Sequence, residues 1–349
     1  MIKSASYMNS TSSMPTFESI KQAFERIKQH VKQTPIVESS LLNEWMGQRI
    51  LFKAECLQTI GAFKIRGAMN FLARLKEEGH LPKYVVANSS GNHAQAVAYA
   101  AAHFGIKATV FASENISPIK AAATQSYGAD LKLFPTRIEA DNAVKEAAKA
   151  SDTVWMPPFN HEDIIAGQGT AALEALEEVG HIDAVFAPCG GGGLLSGTLL
   201  ATKALQPDAL VIGAEPAAAN DASMSLQAGE IIALKEAPTT LADGAATPSV
   251  GDITFPILQE LDDFYEVDEI QIAYWTQWLH HLLKLHIEPT CAMTMAAVAS
   301  WAANTPKGQT ALVILSGGNI SQTAMAKIWE RDFLLQPPIL DTDDNMEEE

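Results

Sequence analysis

Short uncharged apolar runs alternate with alanine-rich helical segments along most of this chain, and this alternation constrains the fold more than any other feature. Strands that are covered on both faces are continuously apolar, and each parallel strand needs a crossover to reach the next one. The predicted strands span residues 50–54, 84–88, 108–112, 131–134, 154–157, 184–188, 210–214 and 311–315. The pattern predicts an α/β fold with one parallel sheet or two, in a compact two-domain chain.

The composition is that of a folded protein, and its charge excludes some partners. Of the 349 residues, 47% are hydrophobic and 19% are charged, which is enough apolar material for a sizeable core. Lys and Arg number 24 against 41 Asp and Glu, so the formal net charge is −17. This charge repels phosphate backbones and anionic membrane surfaces, and we expect neither nucleic acid nor a membrane as a partner.

Several absences favour a cytoplasmic location. Cys56, Cys189 and Cys291 are too few and too far apart for a disulfide framework, as is usual in a reducing compartment. Residues 1–15 lack the apolar core of a signal peptide, and no run of about 18 uncharged apolar residues indicates a membrane span. We expect residues 1–15 and the acidic tail at 336–349 to be disordered.

Three polar or glycine-rich loops follow predicted strands, at residues 88–93, 189–193 and 316–319. Ligands of open parallel sheets bind at the carboxyl ends of the strands. We therefore expect the three loops to share one cleft.

The second of these loops contains four consecutive glycines: Gly190, Gly191, Gly192 and Gly193. Backbone N–H groups without Cβ atoms nearby can turn around an anion, and the helix predicted to begin at Leu194 adds its positive end. A single phosphate is the favoured ligand. A dinucleotide-binding turn stays open, because Glu215 ends the next strand, although Ser196 stands where that motif needs glycine. A plain tight turn is the third possibility.

Lys64 lies between Phe63 and Ile65, and these apolar flanks can desolvate its amine. Desolvation lowers the pKa of a lysine and exposes a nucleophile. Considered alone, Lys64 is better explained as a solvated residue at the start of a helix. Combined with a phosphate-binding loop, it could hold the aldehyde of pyridoxal phosphate as an imine.

The first loop offers two hydroxyls and free N–H groups at a helix start: Ser89, Ser90, Gly91, Asn92 and His93. Such a group can clamp a carboxylate. Ordinary N-capping by Ser or Asn explains the same residues equally well. In the third loop, Ser316 could meet a ring nitrogen or could simply end its strand.

The combination of motifs resembles the serine/threonine dehydratase and serine racemase family, which are fold-type II pyridoxal phosphate enzymes. The matching stretches are residues 61–68, 89–93, 190–193 and 316–319, with further matches at 166–170, 242–244 and 287–290. The resemblance covers roughly residues 17–329. The chain departs from the commonest dehydratase pattern at residues 60–62 and at Cys189. Residues 288–290 look more like the racemase branch.

The resemblance implies an active site between two domains and a role for each motif. Lys64 and Ser90 would be catalytic, with Lys64 taking the Cα proton and Ser90 facing the opposite side of the cofactor ring. The cofactor would be bound by Phe63, Lys64, Asn92, Gly190, Gly191, Gly192, Gly193, Leu194 and Ser316. The substrate would be bound by Ser89, Ser90, Gly91, Asn92 and His93.

The resemblance also implies a reaction and an organisation. The reaction would be β-elimination from L-serine, L-threonine or 3-hydroxyaspartate to a 2-oxo acid and ammonia, with serine racemisation at the same site as the alternative. Residues 16–75 and 160–335 would form the large cofactor-binding domain, and residues 76–159 the small one. A homodimer is implied. Because the ordered chain is expected to end near Pro337, no regulatory domain is expected and the enzyme would be catabolic.

A divalent cation site is implied by the racemase-like spacing of Glu215, the carbonyl of Ala219, and Asp221. Oxygen ligands of this kind suit Mg²⁺, Ca²⁺ or Mn²⁺. The alternative is a helix-entry acid followed by a surface aspartate. The residues by themselves leave two other classes open, a non-catalytic amino-acid-binding protein and a nicotinamide oxidoreductase.

Overall fold

The computed structural model describes residues 14–340, so the predictions for residues 1–13 and 341–349 lie outside the described residues. The helices are α1 (Phe17–Ile27), α2 (Ser40–Met46), α3 (Lys64–Glu77), α4 (Asn92–His103), α5 (Pro118–Ser126), α6 (Arg137–Ala147), α7 (Glu162–Glu178), α8 (Gly193–Leu205), α9 (Asp221–Ala228), α10 (Thr254–Leu258), α11 (Glu269–Leu283), α12 (Pro289–Ala292), α13 (Thr294–Ala303) and α14 (Gln322–Ile328). The strands are β1 (Ile36–Glu38), β2 (Arg49–Ala54), β3 (Tyr84–Asn88), β4 (Lys107–Ser113), β5 (Asp130–Phe134), β6 (Thr153–Trp155), β7 (Ala184–Pro188), β8 (Leu210–Pro216), β9 (Asp263–Val267) and β10 (Thr310–Leu315).

The strands form two sheets. The larger has the order β1-β2-β10-β7-β8-β9, in which β1 pairs antiparallel to β2 and the remaining pairs are parallel. The smaller has the order β5-β4-β3-β6 and is parallel throughout. All eight predicted strands are present with bounds that agree within two residues, and the prediction of an α/β fold with parallel-sheet domains is confirmed.

Two strands of the larger sheet, β1 and β9, were missing from the sequence-based prediction, and both lie at its edges. β1 has only three residues, and β9 has the sequence Asp-Phe-Tyr-Glu-Val, with an acid at each of its two exposed positions. Edge strands carry polar residues because one side faces solvent. Uncharged apolar runs therefore predict the interior strands of the sheet but not the two edge strands.

Helices cover both faces of the larger sheet. Phe52 and Phe186 point into a core shared with α2, α11 and α13, whereas their neighbours Leu51 and Val185 point into a core shared with α1, α7 and α8. Successive side chains of a strand point to opposite faces, so each buried strand supplies both cores.

A buried ion network fixes the start of α3. Arg66 contacts Glu55 and Glu174, each at 2.7 Å, and Lys53 contacts Glu174 at 2.8 Å. The four side chains are at most 2% exposed and carry two charges of each sign. Loss of one member leaves an uncompensated buried charge, which costs about 3–5 kcal/mol. The network ties the first turn of α3, where Lys64 lies, to β2 and α7.

Between residues 14 and 340, no helix is both long and apolar enough to cross a membrane. The division of the chain into domains stays a prediction. Its expected boundary at residue 75 falls inside α3, which continues to Glu77.

Candidate active site

A cavity of about 390 Å³ lies where the three loops meet. Its walls include every residue that the sequence nominated for cofactor or substrate: Phe63, Lys64, Ser89, Ser90, Gly91, Asn92, His93, Gly190, Gly191, Gly192, Gly193, Leu194 and Ser316. The loops follow β3, β7 and β10, so the cavity opens at the carboxyl ends of strands from both sheets. The structure therefore brings the nominated residues together in one cleft.

Lys64 is the first residue of α3, and its Nζ donates a hydrogen bond of 2.7 Å to the carbonyl of Pro158. Burial lowers the pKa of Lys64 to about 8, while the carboxyl of Glu288 opposes this shift. The positive end of α3 acts in the same direction as burial. A substantial neutral fraction near pH 8 makes this amine a nucleophile or a base.

The loop before Lys64 is joined to the loop after β10 by main-chain hydrogen bonds. Phe63 N–H donates to the carbonyl of Ser316 at 3.0 Å, and Gly318 N–H donates to the carbonyl of Gly61 at 2.9 Å. This pairing holds Lys64 and Ser316 on one wall of the cavity.

The glycine loop is folded into a cradle at the start of α8. Gly192 is the N-cap with φ of +89°, a left-handed conformation that favours glycine. The Thr254 hydroxyl donates to the Gly191 carbonyl at 2.8 Å and fixes the loop. The free N–H groups at this end of a 13-residue helix suit an anion.

A two-residue segment links the lysine to the cradle. Pro158 accepts the hydrogen bond from Lys64, and the ring of the next residue, Phe159, packs so closely on Gly191 that a Cβ there would lie 2.3 Å away. Consecutive Cα atoms are about 3.8 Å apart. The amine and the phosphate cradle therefore contact adjacent residues of one dipeptide.

The serine loop is not an ordinary helix cap. The N-cap of α4 is Gly91, with no capping hydrogen bond from a side chain, so the alternative of capping by Ser or Asn is wrong. The Ser89 hydroxyl accepts from Gly91 N–H at 3.1 Å, and the Ser90 hydroxyl lies 3.4 Å from that of Ser113. The helix begins at Asn92, two residues before the start that the predicted loop at residues 88–93 implies.

His93 is held neutral. Burial, together with the charge of Lys64, lowers the pKa of His93 to about 3, and its Nε2 bonds the carbonyl of Met156 at 3.0 Å. His93 can therefore line the cavity as a polar neutral group, not as a cation.

Asn92 is bound on both sides of its amide. Its Nδ2 donates to both carboxyl oxygens of Glu288 at 3.0 Å, and its Oδ1 accepts from Asn319 at 2.9 Å. Burial raises the pKa of Glu288 to about 7, although Lys120 opposes the shift. Ser316 is 1% exposed, and its hydroxyl has no hydrogen-bond partner among residues 14–340.

These features fit pyridoxal phosphate on observations of the structure alone. An unpaired buried hydroxyl costs about 1–3 kcal/mol, and a ring nitrogen would give Ser316 its missing partner. The cradle at Gly191 leaves backbone N–H groups for a phosphate, and Lys64 has the lowered pKa that capture of an aldehyde needs.

The residues nominated for a cation lie together at the end of β8. The Glu215 carboxylate accepts from Ser223 N–H at 2.7 Å and from Ala222 N–H at 3.2 Å. Asp221 is fully buried, so its interpretation as a surface residue is wrong. No side chain among residues 14–340 donates a hydrogen bond to its carboxylate, and the backbone N–H groups of Asp221 and Val250 offset only part of the effect of burial on its pKa. Burial raises the pKa of Glu215 to about 9 and that of Asp221 to about 7.

Ala219 ends a short 3-10 turn, Ala217–Ala219, between the two acids. Residues 14–340 contain no group of three or more His, Cys, Asp or Glu side chains that could hold a metal. Glu215 and Asp221 are only two acidic side chains, and the third proposed ligand is the Ala219 carbonyl, so they do not form such a group. The buried carboxylate of Asp221 fits a cation.

Several residues of the cavity were not nominated from the sequence, among them Pro158 and Lys120. Asp243 and Glu288 were noted only as members of the matching stretches 242–244 and 287–290. The carboxyl of Glu288 lines the cavity and binds Asn92. Lys120 and Asp243 form an ion pair of 2.5 Å between residues 123 positions apart. No local pattern marks such a pair. Cys189, where the chain departs from the commonest dehydratase pattern, is fully buried.

An α/β fold whose strand ends place a lysine of lowered pKa beside a phosphate cradle defines a pyridoxal phosphate enzyme. The sequence agrees, since residues 27–317 match the family described as "Pyridoxal-phosphate dependent enzyme", and the chain belongs to that family.

Relatives of known activity cover nearly the whole chain. The L-threo-3-hydroxyaspartate ammonia-lyase of Saccharomyces cerevisiae is 40% identical over 90% of this chain and 96% of its own. The serine racemase of Dictyostelium discoideum is 39% identical over 90% of this chain and 97% of its own. The crystal structure of a T.th. threonine deaminase has a TM-score of 0.82 and 42% identity, over 88% of this chain and 99% of that one.

Proposed function

We propose that this chain is an ammonia-lyase that uses pyridoxal phosphate to remove water from a β-hydroxy amino acid. The enamine that is released then takes up water and gives a 2-oxo acid and ammonia. The observation that carries the proposal is the single cavity in which Lys64, the glycine cradle and the unpaired hydroxyl of Ser316 meet. L-serine, L-threonine and 3-hydroxyaspartate are the proposed substrates. The named activities of the relatives support this range.

Each wall of the cavity has a proposed binding role. Gly190, Gly191, Gly192, Gly193 and Leu194 bind the cofactor phosphate, Phe63 packs against the ring, Ser316 faces the ring nitrogen, and Asn92 binds the ring hydroxyl. Ser89, Ser90, Gly91, Asn92 and His93 hold the substrate carboxylate through hydroxyl and N–H groups at the start of α4.

The cofactor, when bound, supplies an electron sink that lowers the barrier to losing the Cα proton. The Lys64 amine acts as the base for that proton, because its pKa of about 8 leaves it partly neutral near physiological pH. The fixed Pro158 carbonyl orients the amine. His93 is neutral, so its imidazole adds no positive charge to the site of the substrate carboxylate.

A product assay tests the proposal. Ammonia and 2-oxo acid are measured with L- and D-serine, both threonines and 3-hydroxyaspartate, with and without EDTA. We expect ammonia from at least one substrate and none from Lys64→Ala. Lys21→Ala, which removes an exposed lysine of α1, serves as the matched control. Absence of ammonia from every substrate, in a protein that does not bind pyridoxal phosphate, contradicts the proposal.

Serine racemisation is the second candidate, because the Ser90 hydroxyl lines the cavity and its hydrogen-bond partner among residues 14–340 is the Ser113 hydroxyl, at 3.4 Å. A hydroxyl free to move a proton can serve the face opposite Lys64. Ser90→Ala is then expected to abolish D-serine formation from L-serine while pyruvate formation persists. Equal loss of both products contradicts a separate role for Ser90.

A divalent cation bound by Glu215, the Ala219 carbonyl and Asp221 is also proposed. The support is the buried carboxylate of Asp221, to which no side chain among residues 14–340 donates a hydrogen bond, beside a second acid. Mg²⁺, Ca²⁺ or Mn²⁺ would neutralise both carboxylates and accept oxygen ligands. A homodimer and the bounds of the two domains remain proposals that rest on the resemblance. A cytoplasmic location remains a proposal that rests on the few, widely spaced cysteines.

A further inference from the structure

Lys120 is a buried cation in the cavity that the proposed chemistry does not use. It lies in the first turn of α5, is 4% exposed, and lines the cavity together with the serine loop. A desolvated ammonium group needs a negative partner, since an isolated buried charge is costly. Within residues 14–340, the acid at ion-pair distance is Asp243, whose Oδ2 lies 2.5 Å from Nζ.

The two partners of this pair are held very differently. The Asp243 side chain is 58% exposed and lies on a short 3-10 turn across the cavity from α5. An exposed carboxylate can exchange its partner for hydration by water. The Lys120 ammonium group cannot exchange its partner for water in this way, because it is buried. Any anion that enters the cavity therefore meets a fixed cation and a displaceable counter-ion.

Arg137 also lines the cavity and forms an ion pair, but it is less suited to binding an anion inside the cavity. Its side chain is half exposed, its Nε lies 4.0 Å from Asp141, and its Nη1 donates to the carbonyl of Ala246 at 3.2 Å. Arg137 thus lies nearer the solvent than Lys120 does.

We propose that Lys120 is a specificity residue that binds the second carboxylate of an acidic β-hydroxy amino acid such as 3-hydroxyaspartate, with Asp243 in that carboxylate's place in the free enzyme. The inference rests on the proposed function and names its preferred substrate class. Glu288 lies in the same cavity, and the charge of Asp243 helps to raise the pKa of Glu288. Release of Asp243 to solvent removes one negative charge from the neighbourhood of the incoming dicarboxylate.

The two members of the pair are expected to give opposite results. Lys120→Met lowers kcat/KM for L-threo-3-hydroxyaspartate by about tenfold or more relative to L-serine, because a charge-assisted hydrogen bond is lost. Asp243→Asn raises the same ratio, because the internal competitor is gone. Lys149→Met is the matched control, since Lys149 pairs with Glu146 on the surface. It leaves the ratio unchanged.

A binding measurement separates recognition from turnover. Calorimetry compares L-aspartate with L-alanine, which differ by the distal carboxylate and have no β-hydroxyl to eliminate. We expect the wild-type holoenzyme to prefer L-aspartate, and Lys120→Met to lose about tenfold or more of that preference.

Two outcomes overturn the inference. If both substitutions lower kcat/KM for both substrates equally, the pair is a latch between the two halves of the cavity. If neither changes the ratio, Lys120 takes no part in selection. Either result leaves L-serine turnover as a separate test, so the proposed ammonia-lyase activity can survive the failure of this inference.

Discussion

Substitution of Gly191 by alanine tests the phosphate cradle through its packing. A Cβ on Gly191 would lie 2.3 Å from Cδ1 and Cε1 of the Phe159 ring, well inside contact distance. The ring and the glycine loop must move apart, and overpacking of this kind costs about 1–3 kcal/mol. The displaced loop then presents its N–H groups in the wrong place for a phosphate. We expect at least a tenfold weaker affinity for pyridoxal phosphate, or about 1.4 kcal/mol.

The assay is a titration of apoprotein with pyridoxal phosphate, followed by absorbance, together with thermal melts. Each kcal/mol of destabilisation lowers Tm by about 2–4 °C in domains of 150–250 residues. Gly180→Ala is the control, because a Cβ there meets no heavy atom of the described chain within 4 Å and its φ is not positive. Phe159→Ala in the Gly191→Ala background makes room for the methyl group and should restore part of the affinity. Equal cofactor affinity in the Gly191→Ala and Gly180→Ala variants refutes the reasoning.

Three further predictions follow from the site. The rate at which the apoprotein captures pyridoxal phosphate should rise about tenfold per pH unit below pH 8 and level off above pH 8. The reason is that burial lowers the pKa of Lys64 to about 8 and only the neutral amine reacts. A rate that keeps rising to pH 10 contradicts this prediction. Ser316→Ala should not destabilise the apoprotein and should raise its free energy of unfolding by up to about 1–3 kcal/mol, because an unpaired buried hydroxyl is removed and no hydrogen bond is lost. The same substitution should change the absorbance of the bound cofactor, and an unchanged spectrum shows that the hydroxyl does not face the ring. Mg²⁺, Ca²⁺ or Mn²⁺ should raise the Tm of the wild type but not of Asp221→Asn, and the same rise in both proteins excludes the site.

The buried part of the fold was predictable because it is chemically uniform. β3 and β7 have the bounds that the sequence predicts, since uncharged apolar runs in this setting have few other structures open to them. β9 failed the same criterion because its edge position permits Asp263 and Glu266. The starts of α4 and α8 were placed late by two residues and by one, because glycine and polar residues there look like loop.

The residues of the candidate site likewise divide into those that have a local signal in the sequence and those that have none. Lys64 and the four glycines have local signals, a lysine between apolar residues and a run without side chains. Lys120 and Glu288 have none, since their partners lie 123 and 196 residues away in sequence. Tertiary packing alone decides that Lys120 is buried in the cavity and that Asp221 is hidden from solvent.

The claim on which the account depends is that Lys64 holds an aldehyde cofactor whose phosphate lies in the glycine loop. Its most direct test is reduction of the purified holoenzyme with borohydride, followed by mass analysis of its peptides. We expect absorbance near about 410–420 nm before reduction and a pyridoxyl group on Lys64 afterwards. A colourless protein, or a label attached to any other lysine, contradicts the account.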